Sequence, residues 1–284
     1  MPLFFPLLAP AGPVEIIAHR VVWSLVVCGV LLLVTGRWRR FVSTLRNGRR
    51  MRVLAAASAL VLVNWLTYVY AVMTEQVIEA ALGYFINPLV TAMLGVVVLK
   101  ERIRNAQWIA LVIATIAVIV MSIDAGGLPW IALVLAASFA LYSLAKNRVG
   151  RDVDAIVSLG VETALAAPFA FGFLIWLTAT GASTFGPNGL GHAALLAASG
   201  VITATPLLLF GAAARRLPLT TLGFLQYVGP SLQFLVGLLV MGEQMSGARW
   251  IGFALIWASL VFVSLDAVSR TRSADRVLKV RARS

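Results

Sequence analysis

Apolar residues run along this chain in long blocks separated by short polar connections. The hydrocarbon core of a bilayer is about 30 Å thick and takes roughly 20 mostly apolar residues per helix. Blocks of that length fall at about 14–34, 53–73, 80–99, 106–123, 128–145, 155–178, 191–213, 219–241 and 249–267. Residues 1–10, MPLFFPLLAP, are apolar but half as long, and they carry neither the basic lead nor the small-residue cleavage site of a signal peptide. They read as the tail of a further spanning helix. The pattern predicts an all-α membrane protein of ten helices whose first is truncated.

The connections carry a one-sided charge. Arg37 to Arg52, then Lys100, Arg102 and Arg104, then Lys146, Arg148 and Arg151, then Arg215 and Arg216, and finally the tail from Arg270 to Arg283 all fall on one side if the helices alternate. Only Arg20 and Arg249 fall on the other. Basic connections mark the cytoplasmic face, so the carboxyl terminus is expected inside.

The chain also repeats itself. Pro88 and Pro230, Gly95 and Gly237, Glu101 and Glu243, Trp108 and Trp250, and Asp124 and Asp266 recur at one constant spacing, half the chain. Gly83 finds Gly223 after a two-residue slip. The expected units are residues 1–125, residues 126–268 and a basic cytoplasmic tail, 269–284. Each half holds five helices, an odd number, so the second must enter the membrane inverted. Five-plus-five inverted repeats belong to carriers that expose a midplane site alternately to the two sides.

Composition removes the alternatives. With 61% hydrophobic and 12% charged residues and a mean hydropathy of +0.94, the chain has too little polar surface for a water-soluble globule. The net charge of +12 sits in short clusters between apolar runs with no nucleic-acid motif, so no nucleic-acid partner is expected. Cys28 is the single cysteine, so no disulfide forms within the chain and no metal site gathers around it. No catalytic triad, phosphate loop or haem-ligand pair occurs; neither an enzyme activity nor a cofactor is expected.

Candidate chemistry lies on polar positions within the spans. Proline lacks the N–H that bonds four residues back, so Pro88 and Pro230 should free the carbonyls of Tyr84 and Gln226 and break their helices. Ordinary packing kinks are the alternative. Tyr84 and Asn87 share a face with Thr91, and Gln226 and Gln233 share one with Pro230. Asn64 with Tyr68, and Ser138 with Tyr142, lie four residues apart, and Thr203 and Thr205 flank Pro206. Such groups also serve as interhelical glue. As a set, Asn64, Tyr68, Tyr84, Asn87, Tyr142, Gln226 and Gln233 predict a binding cavity for a neutral, zwitterionic or amphiphilic small molecule. Glu162 is the acidic residue well inside a span, a candidate proton carrier or partner for a substrate amine, unless it faces a wet vestibule. His19, four residues from Glu15, could relay protons or simply anchor the interface. Glu101 and Glu243 should complement the dipoles of the helices that follow them. The stripe Ala110, Ala114 and Ala117 favours close packing, with a homodimer contact as one expectation.

The chain resembles the EamA-type permeases of the drug/metabolite transporter superfamily, and within them the RarD group. The resemblance rests on His19-Arg20-Val21-Val22-Trp23-Ser24, on Asn64-Trp65-Leu66, on Glu79 to Leu89 with its LGYFINPL string, and on Thr221 to Pro230. It implies a ten-helix inverted bundle in the bacterial inner membrane with both termini inside, among relatives that export amino acids, metabolites or drugs. Such proteins have a complete first helix. A helix of residues 1–10 would cover only about 15 Å, so the natural protein is expected to start roughly 15–20 residues upstream. The favoured reading is a secondary transporter of a small organic molecule; the alternative is a non-transporting scaffold or sensor on a carrier fold.

Overall fold

The computed structural model describes residues 4–74, 77–124, 130–232, 246–248, 250–259 and 261–262. These are helical throughout, with connections of a few residues. In lipid every backbone N–H and C=O must be satisfied within the segment, which selects helices. The order is α1 (Pro13–Val34), α2 (Trp38–Arg46), α3 (Gly48–Met73), α4 (Val77–Val97), α5 (Asn105–Asp124), α6 (Trp130–Val149), α7 (Ala155–Ala179), α8 (Gly189–Ala214) and α9 (Leu219–Gln226). A further helical stretch runs from Trp250 to Ser259. Six of these helices are long and apolar enough to cross a membrane: α1, α3, α5, α6, α7 and α8.

Each boundary has a chemical cause. Pro13 opens α1, where a missing N–H costs nothing. Asp154 caps α7 by accepting from the N–H groups of Ile156 and Val157, both at 3.1 Å, and pairs with Arg37 at 3.6 Å. Gly36, at φ +66°, turns the chain into α2 in the left-handed region that favours glycine.

The structure departs from the expected pattern in four places. The arginine-rich connection contains a helix of its own, α2, which buries Phe41 and exposes its arginines. Residues Phe5–Leu8 form a single 3₁₀ turn rather than the tail of a spanning helix. Pro6 and Pro10 remove the N–H groups a longer helix would use, and Leu8 packs against Ile16 and Leu196 instead. Helix α4 runs unbroken through Pro88, whereas α9 stops at Gln226, as expected of the carbonyl that Pro230 frees. Only one of the two proposed breaks therefore forms.

The fourth departure is Glu101. It does not serve α5, which starts at Asn105, but caps α9. Its carboxylate accepts from Leu219 N at 2.6 Å, Thr220 N at 2.9 Å and Thr220 Oγ1 at 2.7 Å. The charge still sits at a helix amino terminus, where it is favoured, but on a helix distant in sequence. Glu243 lies outside the described residues.

The helices pack most extensively as α4 with α6 and α9, α1 with α7 and α8, and α3 with α6. Small residues set the close crossings. Gly223 of α9 sits where a Cβ would lie 2.7 Å from the Pro88 carbonyl of α4, and at Gly83 of α4 a Cβ would lie 2.9 Å from Leu135 Cβ and 3.0 Å from the Ala132 carbonyl of α6. Ala110, Ala114 and Ala117 are almost fully buried within the chain, beside Phe224 and Ile256 among others, so this stripe is not available to a second subunit. Large apolar residues cover the outside, among them Leu33, Phe169, Ile175 and Leu209. In water that surface would be an interaction liability; in a bilayer it is the solvent-facing side.

Candidate functional site

Helices α1, α3, α6, α7 and α8 enclose a small cavity of about 20 Å³, enough for a water molecule. Ser24, Ser58, Trp65, Tyr142, Glu162 and Thr203 line it together with aliphatic side chains. At its acidic end, α7 places Ser158 and Glu162 one turn apart, and α6 places Tyr142 and Lys146 one turn apart opposite them. Glu162 Oε1 accepts from Lys146 Nζ at 2.8 Å and from Ser158 Oγ at 2.8 Å, and Oε2 accepts from Tyr142 OH at 3.2 Å. Lys146 also donates to Ser158 Oγ at 2.7 Å. Ser58 of α3 donates to the Glu162 backbone carbonyl at 2.9 Å.

Lys146 and Glu162 are 2% and 3% exposed, so this is an ion pair withdrawn from solvent within two membrane-length helices. Burying two charges costs several kcal/mol each in desolvation, and the mutual attraction repays it only with good geometry and satisfied hydrogen bonds. Both conditions are met. A pair of this kind is poor evidence for stability and good evidence for a role.

Arg20 of α1 donates from Nε to Thr203 Oγ1 at 2.8 Å and lies 4.8 Å over the Trp65 ring. Tyr68 and Tyr84 stack obliquely at 5.9 Å between centroids. A second polar cluster joins α4 to α9. Thr91 Oγ1 lies 3.2 Å from Asn87 Oδ1 and 3.4 Å from Gln226 Oε1, so its one hydrogen serves one of them at a time. Gln226 donates from Nε2 to Ser143 Oγ of α6 at 3.3 Å.

Residues 6–123 match the EamA-like transporter family. Protein RarD of Streptomyces exfoliatus is 49% identical over 282 residues, spanning 99% of this chain and 89% of its own. The chain belongs to the RarD family. RarD of Escherichia coli K12 is 38% identical over 97% of this chain and 92% of its own, and an uncharacterized transporter of Vibrio cholerae is 40% identical over 97% and 90%. A solved crystal structure with 22% identity superposes with a TM-score of 0.70 over 94% of this chain and 92% of its own, which shows the fold alone. The protein is thus a bacterial membrane protein of a transporter family.

Within this RarD-type chain, the residues singled out by sequence fall into three groups. Tyr142 and Glu162 line the cavity. Asn87 and Gln226 meet through Thr91, and Tyr68 and Tyr84 meet each other, in the neighbouring clusters described above. Asn64 is buried but spends its amide on Leu135 O at 2.9 Å and Ser138 Oγ at 3.0 Å, holding α3 to α6. Gln233 lies outside the described residues. His19 does not join Glu162. Its ring stacks on Phe185 at 4.8 Å, and its Nδ1 and Nε2 have no hydrogen-bond partner among the described residues. Glu15 makes no hydrogen bond to it and accepts from Thr184 N at 2.8 Å.

Lys146 is the residue that sequence reasoning missed, because it was counted with the basic positions that mark the cytoplasmic connection. The signal that could have found it is the spacing: Tyr142 and Lys146 share one face of α6, as Ser158 and Glu162 share one face of α7.

The Asn87 and Gln226 cluster carries its own prediction. Asn87→Ala and Gln226→Ala are expected to lower transport more than tenfold while lowering folded protein in the membrane less than twofold, a split of about 1 kcal/mol or more. Parallel losses of flux and abundance would make these residues fold determinants only.

Proposed function

We propose that the protein is a secondary transporter that moves a small organic molecule across the bacterial inner membrane by alternating access, with its carboxyl terminus in the cytoplasm and Glu162 as its coupling group. The observation that carries this is Glu162 on the wall of a cavity inside the bundle, held in a solvent-excluded ion pair with Lys146 behind it. An ionisable group at that depth is expensive and marks a substrate or proton path.

The contacts support the inverted repeat. If residues 1–125 and 126–268 are equivalent and inverted, α1 corresponds to α7, α3 to α8, α4 to α9, and the segment Phe5–Leu8 to α6. Helix pairs should then occur in mates. The α1–α8 contact has its mate in α7–α3, and the α3–α6 contact has its mate in α8 with Phe5–Leu8. Equivalent elements also touch each other, α1 with α7 and α4 with α9, as elements on a pseudo-twofold axis do. Two related bundles around one site are what rocking requires.

Flux in proteoliposomes under an imposed pH gradient tests the coupling. Glu162→Gln is expected to abolish gradient-driven accumulation, a loss of at least about a hundredfold per folded molecule, equivalent to about 2.7 kcal/mol. Full accumulation by the variant would remove Glu162 from the mechanism.

A further inference from the structure

The connection between α1 and α3 concentrates positive charge that the fold does not balance. Residues 37–52 contain seven arginines and no acidic residue. Among the described residues, Arg37 alone of the seven meets a carboxylate, that of Asp154. Within α2 the sequence separates two faces. Trp38, Phe41, Val42 and Leu45 recur at the i, i+3, i+4, i+7 spacing, while Arg39, Ser43 and Arg46 fall opposite with Arg40 beside them. The apolar face is seated on the bundle: Phe41 is buried in one cluster with Leu32 of α1, Leu54 of α3 and Val157 of α7, and Val42 and Leu45 pack against it. The charged face is exposed at Arg39, Arg40 and Arg46, and the exposure continues to Arg49 and Arg52 at the start of α3. Those last residues stand at the positive end of the α3 dipole, and its first turn holds no acidic residue. So many like charges at a helix amino terminus call for an anion from outside the chain.

The depth of this surface says which anion it meets. Helix α2 is nine residues long, too short to span, and it joins the ends of two membrane-length helices. Leu33 and Val34 at the end of α1 are 66% and 79% exposed, so lipid-facing apolar surface reaches up to the turn at Gly36. Trp38 follows directly, half-exposed and stacked on Phe41 at 5.3 Å between ring centroids, an aromatic ring placed as interfacial tryptophans are. The arginines beside it therefore stand at the level of the lipid headgroups. Guanidinium matches the geometry of a phosphate bidentately, and a basic helix next to a membrane span attracts anionic lipid. We propose that α2 and the first turn of α3 bind the headgroups of anionic phospholipids, with Arg39, Arg40, Arg46, Arg49 and Arg50 as the phosphate-binding side chains. Gly48 separates the two arginine groups, and nothing lies within 4 Å of a Cβ built on it, which leaves open space between them. A free phosphate carries the same chemistry as the headgroup, but a lipid also covers Trp38 and Val34 with its acyl chains.

The proposal does not depend on what the protein transports, so lipid binding tests it alone. Purified full-length protein in a neutral detergent is titrated with phosphatidylglycerol and with phosphatidylcholine of the same chain length, and bound lipid is counted by native mass spectrometry. Phosphatidylglycerol is expected to bind at least about tenfold more tightly. Arg39→Gln/Arg40→Gln/Arg46→Gln/Arg49→Gln/Arg50→Gln should bring the two lipids within about twofold of each other. None of these five side chains is buried, so the fold does not rest on them. Arg148→Gln/Arg215→Gln/Arg216→Gln is the control: it removes exposed arginines from other connections and should keep the preference. Equal binding of the two lipids by the native chain, a preference that survives in the fivefold variant, or one lost in the control would each overturn the proposal. Inorganic phosphate that displaces phosphatidylglycerol at equal phosphate concentration would overturn it too, since the surface would then be a site for the free ion.

Discussion

Lys146→Met is expected to destabilise the protein by about 3–5 kcal/mol, because removing one member of a buried ion pair leaves the other charge uncompensated. Glu162 would keep Ser158 and Tyr142 as donors but lose the Lys146 ammonium that lies 2.8 Å from its Oε1. Lys146→Met/Glu162→Gln should recover most of the loss, since a neutral pair of similar volume is often as stable as the ions it replaces. Unfolding midpoints of the two variants in detergent check this. If the single and double variants melt together, the side chains matter through packing and the pair is not a charge-balanced unit.

Gly200→Ala should have the second large effect. Helix α8 crosses α1 so closely at Gly200 that an added Cβ would run into the Trp23 Cβ and carbonyl carbon, and would come within 2.7 Å of Ser24 N. These are backbone and Cβ atoms, which cannot swing aside, so α1 must move away. Overpacking of this kind costs about 1–3 kcal/mol, and more where nothing can yield. Separation would also lengthen the bond from Ser24 Oγ to the Gly200 carbonyl at 3.1 Å and that from Arg20 Nε to Thr203 on the same pair of helices. Gly29→Ala on α1 is the control, since nothing lies within 4 Å of its added methyl. Gly200→Ala is expected to lose most of its folded protein, and Gly29→Ala to change stability by no more than about 0.5 kcal/mol. Equal abundance of the two would show that the α1–α8 crossing has slack.

How far the sequence could be read follows from which forces act locally. Span length and apolar content place α1, α3, α5, α6, α7 and α8, because the bilayer imposes them residue by residue. Proline's missing N–H is equally local, and α9 does stop at Gln226, yet α4 continues through Pro88 because packing against α6 and α9 holds it. Glu162 stood out as a lone acid in an apolar run. Its partner did not, since Lys146 lies near a helix end where basic residues are ordinary. Glu101 was given the wrong helix because its true one begins 118 residues later at Leu219, a distance only the fold can close. Polarity alone could not tell Asn64, whose amide is spent on α6, from Tyr142, which faces the cavity: composition marks a polar face without saying what it meets.

These elements give one chain of cause. Helix α6 packs against α3 and α4, and with α1, α3, α7 and α8 it lines a cavity whose wall carries Glu162, paired with Lys146 behind it. Whether the cavity opens to both sides is the claim on which the rest depends, and it can be tested without knowing the substrate. Ser24 lines the cavity and is 1% exposed, so Ser24→Cys in a Cys28→Ala background places a single thiol there. Membrane-impermeant thiol reagent applied to right-side-out and to inside-out vesicles should label it from both sides, slowly, as each face opens in turn. Labelling from one side only, or from neither, would contradict alternating access.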